Sequence, residues 1–384
     1  MNIAFCLFKY FPYGGLQRDF IRIARTMRER GHEVHVYAMN WEGELEPGLH
    51  IHILPKIGMQ NHVQNASFAA SLHAVLQKRQ HDAVVGFNKM PWLDLYYAAD
   101  VCFQSCLRKK SGWLYQLLQL LPRYRSLISL ENAIFARGQG TQIALIAKEQ
   151  QKEFIQYYQT EENRFHFMPP GISKDRIAPE NAGHIRHMLR SHYHLAEEDS
   201  LLLMIGSGFK TKGLDRAIRG LACLPDSLRE TTQLFVIGED KKAAFQKLAL
   251  SLNVEKKVHF LGGRHDVPDF LLAADLLVHP ARHENTGTVL LEALVSGLPV
   301  LTVDVCGYAH YIDEANAGMV LPSPFNQAIY NDSLQKMLLS PERDEWKQNG
   351  IAFAKQADIY HLQDRMAELI ESMVEKRGEQ RVPG

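Results

Sequence analysis

Two glutamates in the second half of the chain are spaced so that they could hold two parts of one ligand. Glu284 lies in a loop after a predicted buried strand that ends at Val278, and Glu292 lies in the helix predicted over residues 286–296. The residues that follow Glu284 would present unpaired backbone N–H groups at the start of this helix, where the helix dipole favours a phosphate. These residues are Asn285, Thr286, Gly287 and Thr288. The spacing alone fits two solvated glutamates on an ordinary helix equally well.

Basic residues near other predicted strand ends could complete such a phosphate site. Lys210 and Lys212 follow the apolar run 201–205, and Arg176 lies near the predicted linker between the two halves. Open α/β sheets bind ligands beyond the carboxyl ends of their strands, so these cations could clamp a diphosphate against Gly287. Each of them, taken singly, is also an ordinary surface cation.

Carboxylates in the first half of the chain are placed in a similar way. A glycine turn that contains Gly15 follows the first predicted strand, and Asp19 lies on the first turns of the next helix. Asp100 ends an apolar stretch for which we predict a helix from about Leu93. A turn of two glycines is as common in packing as in ligand binding, so its function depends on the rest of the chain.

Composition limits the class of protein. The chain has 384 residues, of which 46% are hydrophobic and 22% charged, and it has 43 Lys plus Arg against 43 Asp plus Glu. These values are typical of a globular protein and give no argument for nucleic acid as a partner. The five cysteines are scattered and odd in number, which favours a reducing compartment. Because no apolar run could span a bilayer and the N-terminus is a poor signal peptide, we expect a cytoplasmic protein.

Strands and helices alternate along both halves, and this order makes parallel βαβ units nearly obligatory. We therefore predict an α/β protein with two doubly wound domains. The polar stretch after the paired prolines marks the boundary, so the predicted domains are residues 1–168 and 169–341. Residues 342–384 are predicted to form surface helices that pack back toward the N-terminal domain. The residues spaced for their buried face are Leu362, Met366, Leu369 and Met373.

Residues 101–130 contain no acid but carry five basic residues among leucines and aromatic rings. Such a mixture suits a membrane interface. At about 1 kcal/mol per basic residue near an anionic leaflet, the charges alone give roughly 5 kcal/mol, or a Kd of about 0.2 mM. A core helix with solvated flanks, or a dimer interface, would explain the same composition. The predicted membrane-interacting residues are Arg108, Lys109, Lys110, Trp113, Tyr115, Arg123, Tyr124 and Arg125.

Several motifs carry a resemblance to a known family. ENTGTVLLEALVSGLPV resembles the segment with two glutamates separated by seven residues in the retaining, nucleotide-sugar-dependent glycosyltransferases of family 4. GSGFKTKGLDRAI resembles their donor-phosphate loop, and MPPGISKDR resembles their linker. FKYFPYGGLQRDF, VVGFNKMP, AADVC and VCGYAHYI are similar to the lipopolysaccharide core glucosyltransferases within that family. The resemblance runs along almost the whole chain and implies two Rossmann-like domains facing a central cleft, the GT-B arrangement.

The resemblance implies a division of labour in the donor site. Glu284 would hydrogen-bond hydroxyls of the donor sugar, and Glu292 would bind the ribose hydroxyls. The diphosphate would be held by Lys212, Arg176 and the backbone N–H groups of residues 285–288.

The remaining predicted residues complete the two sides of the reaction. Gly15 and Lys210 are assigned to the donor side. This chain has Thr211 where the family carries an arginine before the lysine, and Lys210 could compensate. Asp19 and Asp100 would lie on the acceptor side near the reacting carbon, and with Glu284 they form the predicted catalytic set.

The implied reaction is transfer of glucose from UDP-glucose to an inner-core heptose of lipopolysaccharide, with retention. The enzyme would bind peripherally to the cytoplasmic face of the inner membrane of a Gram-negative bacterium. No cofactor or metal is expected, because fixed cations and a helix N-terminus can stabilise the leaving UDP and no two aspartates have the D-x-D spacing. The alternatives are transfer of another UDP-hexose or an N-acetylhexosamine, a sugar-nucleotide epimerase of the same fold, and a non-enzymatic membrane-binding scaffold.

Overall fold

A computed structural model describes residues 1–12, 14–108 and 112–381. The chain divides into two compact units. The first comprises Met1–Gly171 and His361–Gly384, and the second comprises Ile172–Tyr360. The division between the units falls just after the predicted boundary at residue 168.

The first unit is built on a seven-stranded parallel sheet, with a separate two-stranded ladder. Its strands are β1 (Asn2–Cys6), β2 (Lys9–Tyr10), β3 (Glu33–Ala38), β4 (Asn40–Trp41), β5 (His50–Ile53), β6 (Ala83–Gly86), β7 (Leu95–Ala98), β8 (Gln142–Leu145) and β9 (Phe165–Phe167). Its helices before the second unit are α1 (Gly15–Glu29), α2 (Asn61–Leu76), α3 (Phe103–Arg108), α4 (Gly112–Leu120), α5 (Pro122–Phe135) and α6 (Glu149–Tyr158).

The strand order of the first unit creates a ligand-binding edge. The large sheet runs β5-β3-β1-β6-β7-β8-β9, so β1 lies between β3, which leads to one edge of the sheet, and β6, which leads to the other. Open α/β sheets bind ligands at the carboxyl ends of the strands where the order reverses in this way. The loops after β1, β6 and β7 all leave from that edge.

The second unit repeats this plan with a six-stranded parallel sheet in the order β12-β11-β10-β13-β14-β15. The strands are β10 (Ser200–Ile205), β11 (Thr232–Ile237), β12 (Val258–Gly262), β13 (Leu276–His279), β14 (Val300–Val303) and β15 (Gly318–Leu321). The helices are α7 (Ala182–His192), α8 (Phe209–Lys212), α9 (Leu214–Ala222), α10 (Asp226–Glu230), α11 (Ala243–Ser251), α12 (Val267–Ala273), α13 (Thr288–Ser296), α14 (Ala309–Ala315), α15 (Gln327–Leu339) and α16 (Arg343–Gln356). Here the order reverses between β10 and β13, so the loops after these two strands meet. The two doubly wound α/β domains that the sequence predicted are confirmed.

The C-terminal helices divide between the two units. α16 belongs to the second unit, because its Gly350 lies against the backbone of α13, where an added Cβ would stand 2.8 Å from the carbonyl oxygen of Leu294. The last helix, α17 (Leu362–Arg381), belongs to the first unit and packs on α1. Leu362 and Met366 are buried there in one cluster with residues of β1. Only α17, and not the whole tail from residue 342, therefore joins the N-terminal unit.

The predicted helix from Leu93 to Asp100 is wrong, because Leu95–Ala98 is the strand β7. All four of its residues are buried. A short apolar run cannot be assigned to a helix or a strand by periodicity alone. The position decides it here, since β7 lies inside the sheet between β6 and β8, and strands buried on both faces are apolar throughout.

A fully buried glutamate holds α3, α5 and the loop after β6 together. Glu131, in α5, is 0% exposed. Its carboxylate accepts hydrogen bonds from Nζ of Lys89 at 2.5 Å, from the backbone N–H of Phe103 at 2.6 Å and from that of Gln104 at 3.1 Å. The hydroxyl of Tyr158 donates to the same group. Two of these donors are the first residues of α3, so Glu131 fixes the point at which α3, the start of the basic residues 101–130, follows the sheet.

We expect Glu131→Gln to destabilise the first unit by about 3–5 kcal/mol, because a largely buried Lys89 loses its counter-charge. Equilibrium urea unfolding measures the change. The control is Glu149→Gln, which removes an exposed carboxylate from the first turn of α6 and should cost less than about 1 kcal/mol. If the unfolding curves of the two variants coincide, the structural role of Glu131 is contradicted.

Candidate active site

The centre of the candidate site is an ion cluster at the carboxyl edge of the second sheet. Lys212, at the end of α8, donates a hydrogen bond from Nζ to Oε2 of Glu284, in the loop after β13. Nε2 of His279, the last residue of β13, lies 3.3 Å from the same oxygen. The structure thus brings together a predicted cation and a predicted carboxylate from the two loops that flank the reversal of strand order.

The cluster keeps Glu284 ionised. Burial alone would raise the pKa of the Glu284 carboxyl group, but the hydrogen bond from His279 and the charge of Lys212 outweigh it and lower that pKa to about 2. The carboxylate is therefore ionised near neutral pH and can only accept hydrogen bonds.

Arginine hydrogen bonds and one close approach of the backbone fix the distance between the chain segments that follow β10 and β13. Arg282 pairs with Asp215 through two bonds of 2.7 Å and donates from its own N–H to the carbonyl oxygen of Thr211. Arg216 donates to the carbonyl oxygen of Pro280 at 3.0 Å. Gly213 has φ +82°, and an added Cβ would stand 2.0 Å from that oxygen. Only glycine fits this approach, which places Lys212 against Glu284.

A second pairing joins the other predicted carboxylate to the start of the second unit. Nε of Arg176 lies 4.0 Å from Oε1 of Glu292, which is buried in α13. Within the described part of the chain, Nε and Nη1 of Arg176 have no hydrogen-bond partner, although both atoms are buried. Guanidinium N–H groups buried without acceptors are costly, so this pair is prepared for an anionic or hydroxyl ligand.

The helix that carries Glu292 begins two residues later than predicted. α13 begins at Thr288, not at Thr286, because Gly287 adopts φ +83° and precedes the first helical residue. The carbonyl oxygen of Thr286 accepts the N–H of Tyr308 at 2.7 Å, which ties Thr286 to the segment after β14. Asn285 is partly exposed. Lys210 also lies at this edge, on α8, where its side chain is exposed.

The first unit places its predicted residues along its own carboxyl edge. Gly15 opens α1, and Asp19, one turn later, accepts a hydrogen bond of 2.8 Å from the hydroxyl of Tyr97 in β7. Asp100 follows the same strand. Loss of water around the Asp100 carboxyl group raises its pKa, with Lys89 opposing and Glu131 adding to the shift, although the residue as a whole is exposed. β7 therefore orients Asp19 through Tyr97, and the chain reaches Asp100 two residues after the strand ends.

The basic and aromatic segment forms α3, α4 and α5. α4 has no buried residue. Apolar side chains on one face of α4, and one just after its C-terminal end, form an exposed stripe. The stripe consists of Trp113 (69% exposed), Leu117 (53%), Leu120 (72%) and Leu121 (46%). Arg123 and Arg125 are exposed beside it. Among the described residues, no helix combines the length and apolar character needed to cross a membrane.

The other residues of the predicted membrane set behave differently. Tyr115 accepts a hydrogen bond from Gln104 at 2.9 Å and lies under the guanidinium of Arg108 at 4.7 Å. Tyr124 stacks on Phe103 with ring centroids 5.9 Å apart. These tyrosines hold α4 and α5 on α3 and do not join the exposed stripe. Lys109 and Lys110 lie outside the described residues.

Sequence reasoning missed His279, Tyr97 and Glu131. A single histidine after an apolar run is usually a core residue, so its contact with Glu284 had no separate signal. Tyr97 was hidden by the wrong assignment of β7. Glu131 did carry a signal, since it is the first acid after the acid-free residues 101–130.

The second unit can thus hold an anionic, hydroxyl-rich ligand. Glu284 can accept hydrogen bonds from hydroxyl groups, Lys212 and Arg176 supply positive charge, and α13 adds its N-terminal dipole. Such a set stabilises negative charge that develops on a leaving phosphate.

Comparison with known proteins identifies the family. The family model for Glycosyltransferase Family 4 matches residues 13–176, and that for Glycosyl transferases group 1 matches residues 187–353. The lipopolysaccharide glucosyltransferase WaaG of Escherichia coli (strain K12) is 46% identical, over 96% of this chain and 98% of that protein. A D-inositol 3-phosphate glycosyltransferase of Streptomyces avermitilis is 24% identical, over 80% of this chain and 72% of that protein.

Solved structures agree with this placement. A crystal structure of WaaG matches with a TM-score of 0.92 at 46% identity and covers 96% of this chain and 99% of that one. HepE from Anabaena, solved in complex with UDP-glucose, has the same fold with a TM-score of 0.74 at 17% identity, covering 97% of this chain and all of that one (100%). The chain therefore belongs to glycosyltransferase family 4 and is a glycosyltransferase of the GT-B fold.

Proposed function

We propose that this glycosyltransferase moves glucose from UDP-glucose to a heptose of the lipopolysaccharide inner core, with retention. The cluster of Glu284, Lys212 and His279 carries the proposal, because it offers an ionised acceptor and a cation at one point of the second sheet. The identity of 46% over nearly all of the Escherichia coli lipopolysaccharide glucosyltransferase supports the choice of sugar and acceptor class.

The donor would be held by the second unit. Glu284 accepts hydrogen bonds from the glucose hydroxyls, since its carboxylate is ionised. Glu292 accepts hydrogen bonds from the ribose hydroxyls. Nε and Nη1 of Arg176, which have no hydrogen-bond partner among the described residues, bind the diphosphate beside it. Lys212 adds its charge to the phosphate, together with the backbone N–H groups at the start of α13 and the exposed Lys210. Gly15, at the start of α1, would lie on the donor side, where no other described residue outside that helix's own backbone and the two chain neighbours comes within 4 Å of an added Cβ.

Transfer of the glucosyl group is then favoured by stabilisation of the negative charge that develops on the leaving UDP. The acceptor hydroxyl oxygen bonds to the anomeric carbon on the face from which UDP departs, and the bond from that carbon to the phosphate oxygen breaks. The hydroxyl proton passes to the departing phosphate oxygen, and the products are the glucoside and UDP. Cations fixed before the reaction stabilise the charge on UDP without reorganising. We propose that no metal takes part in this step.

The first unit would receive the acceptor. Asp19 is held by Tyr97, and Asp100 follows the same strand, so both carboxylates are positioned to accept hydrogen bonds from sugar hydroxyls. We assign them a binding role, because a carboxylate on the first turns of a helix ordinarily orients a hydroxyl.

The exposed stripe of α4 would bring the enzyme to its lipid-linked acceptor at the cytoplasmic face of the inner membrane. Trp113, Leu117 and Leu120 are exposed on one face of α4. The exposed residues Leu121, Arg123 and Arg125 follow in the chain. Apolar insertion and attraction to anionic lipid add in such an arrangement.

The site assignment predicts that Glu284→Gln and Lys212→Ala each lower kcat/KM for glucose transfer by about 100-fold or more, because each removes a fixed group that contacts the donor. The assay uses UDP-glucose with a truncated core acceptor, and the product is read by mass and anomeric configuration.

Matched controls are Glu314→Gln on α14 and Lys241→Ala before α11, which remove exposed charges of the same unit and should leave kcat/KM unchanged. Full activity of either site variant would refute the assignment. Product formed from UDP-glucose without any acceptor would instead favour an epimerase.

The membrane proposal predicts that Leu117→Glu weakens binding to vesicles with anionic lipid by at least about 10-fold, since it loses the apolar transfer of one leucine and adds repulsion. Vesicle sedimentation measures the bound fraction. Leu250→Glu, on α11 and 61% exposed, is the control and should bind as the unchanged protein does. Equal binding by both variants would rule out the stripe as the docking surface.

A further inference from the structure

A group of histidines and one glutamate lies at the amino ends of β3 and β5, outside the site described above. β5 is the edge strand of the first sheet, and it pairs in parallel with β3 so that His35 lies opposite His50. Glu33 precedes His35 by two residues and therefore points to the same face of the sheet. His52, two residues after His50, also belongs to this face.

The side chains of Glu33, His35 and His50 converge on one point. Nε2 of His35 lies 3.0 Å from Oε1 of Glu33, and Nε2 of His50 lies 3.5 Å from the same oxygen. One nitrogen or oxygen of each residue falls within 4.8 Å of those of the other two. The two imidazole rings are stacked with centroids 4.8 Å apart and planes 20° apart, so both present a nitrogen toward the carboxylate.

Neighbouring groups set the tautomer of His35. Nη1 of Arg79 lies 3.2 Å from Nε2 of His52, and an arginine can only donate, so that nitrogen of His52 is an acceptor. Nδ1 of His35 lies 3.0 Å from the same nitrogen and must therefore donate its proton to it. With Nδ1 as the donor to His52, Nε2 is the His35 nitrogen available to a metal ion, and it is the atom that faces Glu33.

We propose that Glu33, His35 and His50 form a zinc-binding site that leaves a fourth coordination position for water. Two imidazoles and one carboxylate are ligands that Zn²⁺ prefers, whereas Mg²⁺ and Ca²⁺ take oxygen ligands. Zinc bonds of about 2.0–2.1 Å in tetrahedral geometry place ligand atoms roughly 3.3 Å apart. The separations of 3.0 and 3.5 Å from Glu33 lie on either side of that value.

The hydrogen bond from Nδ1 of His35 to His52 orients the His35 ring, as is common for histidines that bind a metal. Histidines that bind a metal commonly donate their other ring N–H to a fixed acceptor, which orients the ring. His52 is that acceptor for His35, because its Nε2 lies 3.0 Å from Nδ1 of His35. The positive charge of Arg79 is thus engaged with His52, and Glu33 supplies the negative charge next to the ion.

The location separates this site from sugar transfer. Glu33 and His50 begin their strands, whereas Asp19 and Asp100 belong to the carboxyl edge of the same sheet. A bound ion would join the edge strand to its neighbour through side chains, in addition to the backbone ladder. Its effect would be on the stability of that edge and not on the chemistry of the sugar.

The test is isothermal titration calorimetry of the full chain, without an affinity tag, using zinc chloride alone at neutral pH. We expect one tight site per chain. Glu33→Gln and His50→Gln should each weaken that site by at least about 10-fold, and His52→Phe should weaken it by about 10- to 100-fold through the lost hydrogen bond. Both ligand changes fall on half-exposed side chains, and circular dichroism without zinc checks that the variants fold.

Because the chain has 18 histidines, a control for weak binding is needed. His184→Gln, an exposed position of α7, should leave the tight site unchanged, and His50→Gln should retain glucose transfer. The absence of a tight site in the unchanged protein would overturn the proposal. So would a tight site that survives both Glu33→Gln and His50→Gln.

Discussion

The ion pair between Lys212 and Glu284 is the interaction on which the donor unit depends. Two charges removed from water are costly unless they meet in good geometry, so the fold must hold the loops after β10 and β13 at a fixed separation. The arginine bonds between these loops and the close approach at Gly213 provide that separation. The reversal of strand order between β10 and β13 is what makes the two loops neighbours at all.

The first unit also contains a buried carboxylate that pairs with a lysine, in this case Glu131 with Lys89. Glu131 satisfies two backbone N–H groups at the start of α3 and neutralises Lys89, so a buried carboxylate organises a segment that has no acid of its own. α4 has no buried residue of its own and packs on α3 and α5, and Glu131 in α5 binds the backbone that begins α3.

Much of the fold and part of the site could be predicted from the sequence, for physical reasons. Alternating apolar runs and amphipathic stretches determine a doubly wound α/β fold, and the spacing from Glu284 to Glu292 indicates a loop followed by a helix. β7 could not be assigned, because four buried residues carry no period. The contact of His279 with Glu284, and the pairing of His35 with His50, depend on which strands are neighbours and in which register, and local sequence does not contain that information.

The packing of α17 has a consequence for how the protein is made. Leu362 and Met366 share one core with β1, although the whole of Ile172–Tyr360 is synthesised between them. A ribosome adding about 5–20 residues per second needs roughly 10–40 s for that interval. Throughout this time the first unit exposes the apolar groove on α1 that α17 will fill. The half of the protein that is translated first is thus the half whose core is completed last, and its apolar surface on α1 stays accessible to other chains until α17 has been made.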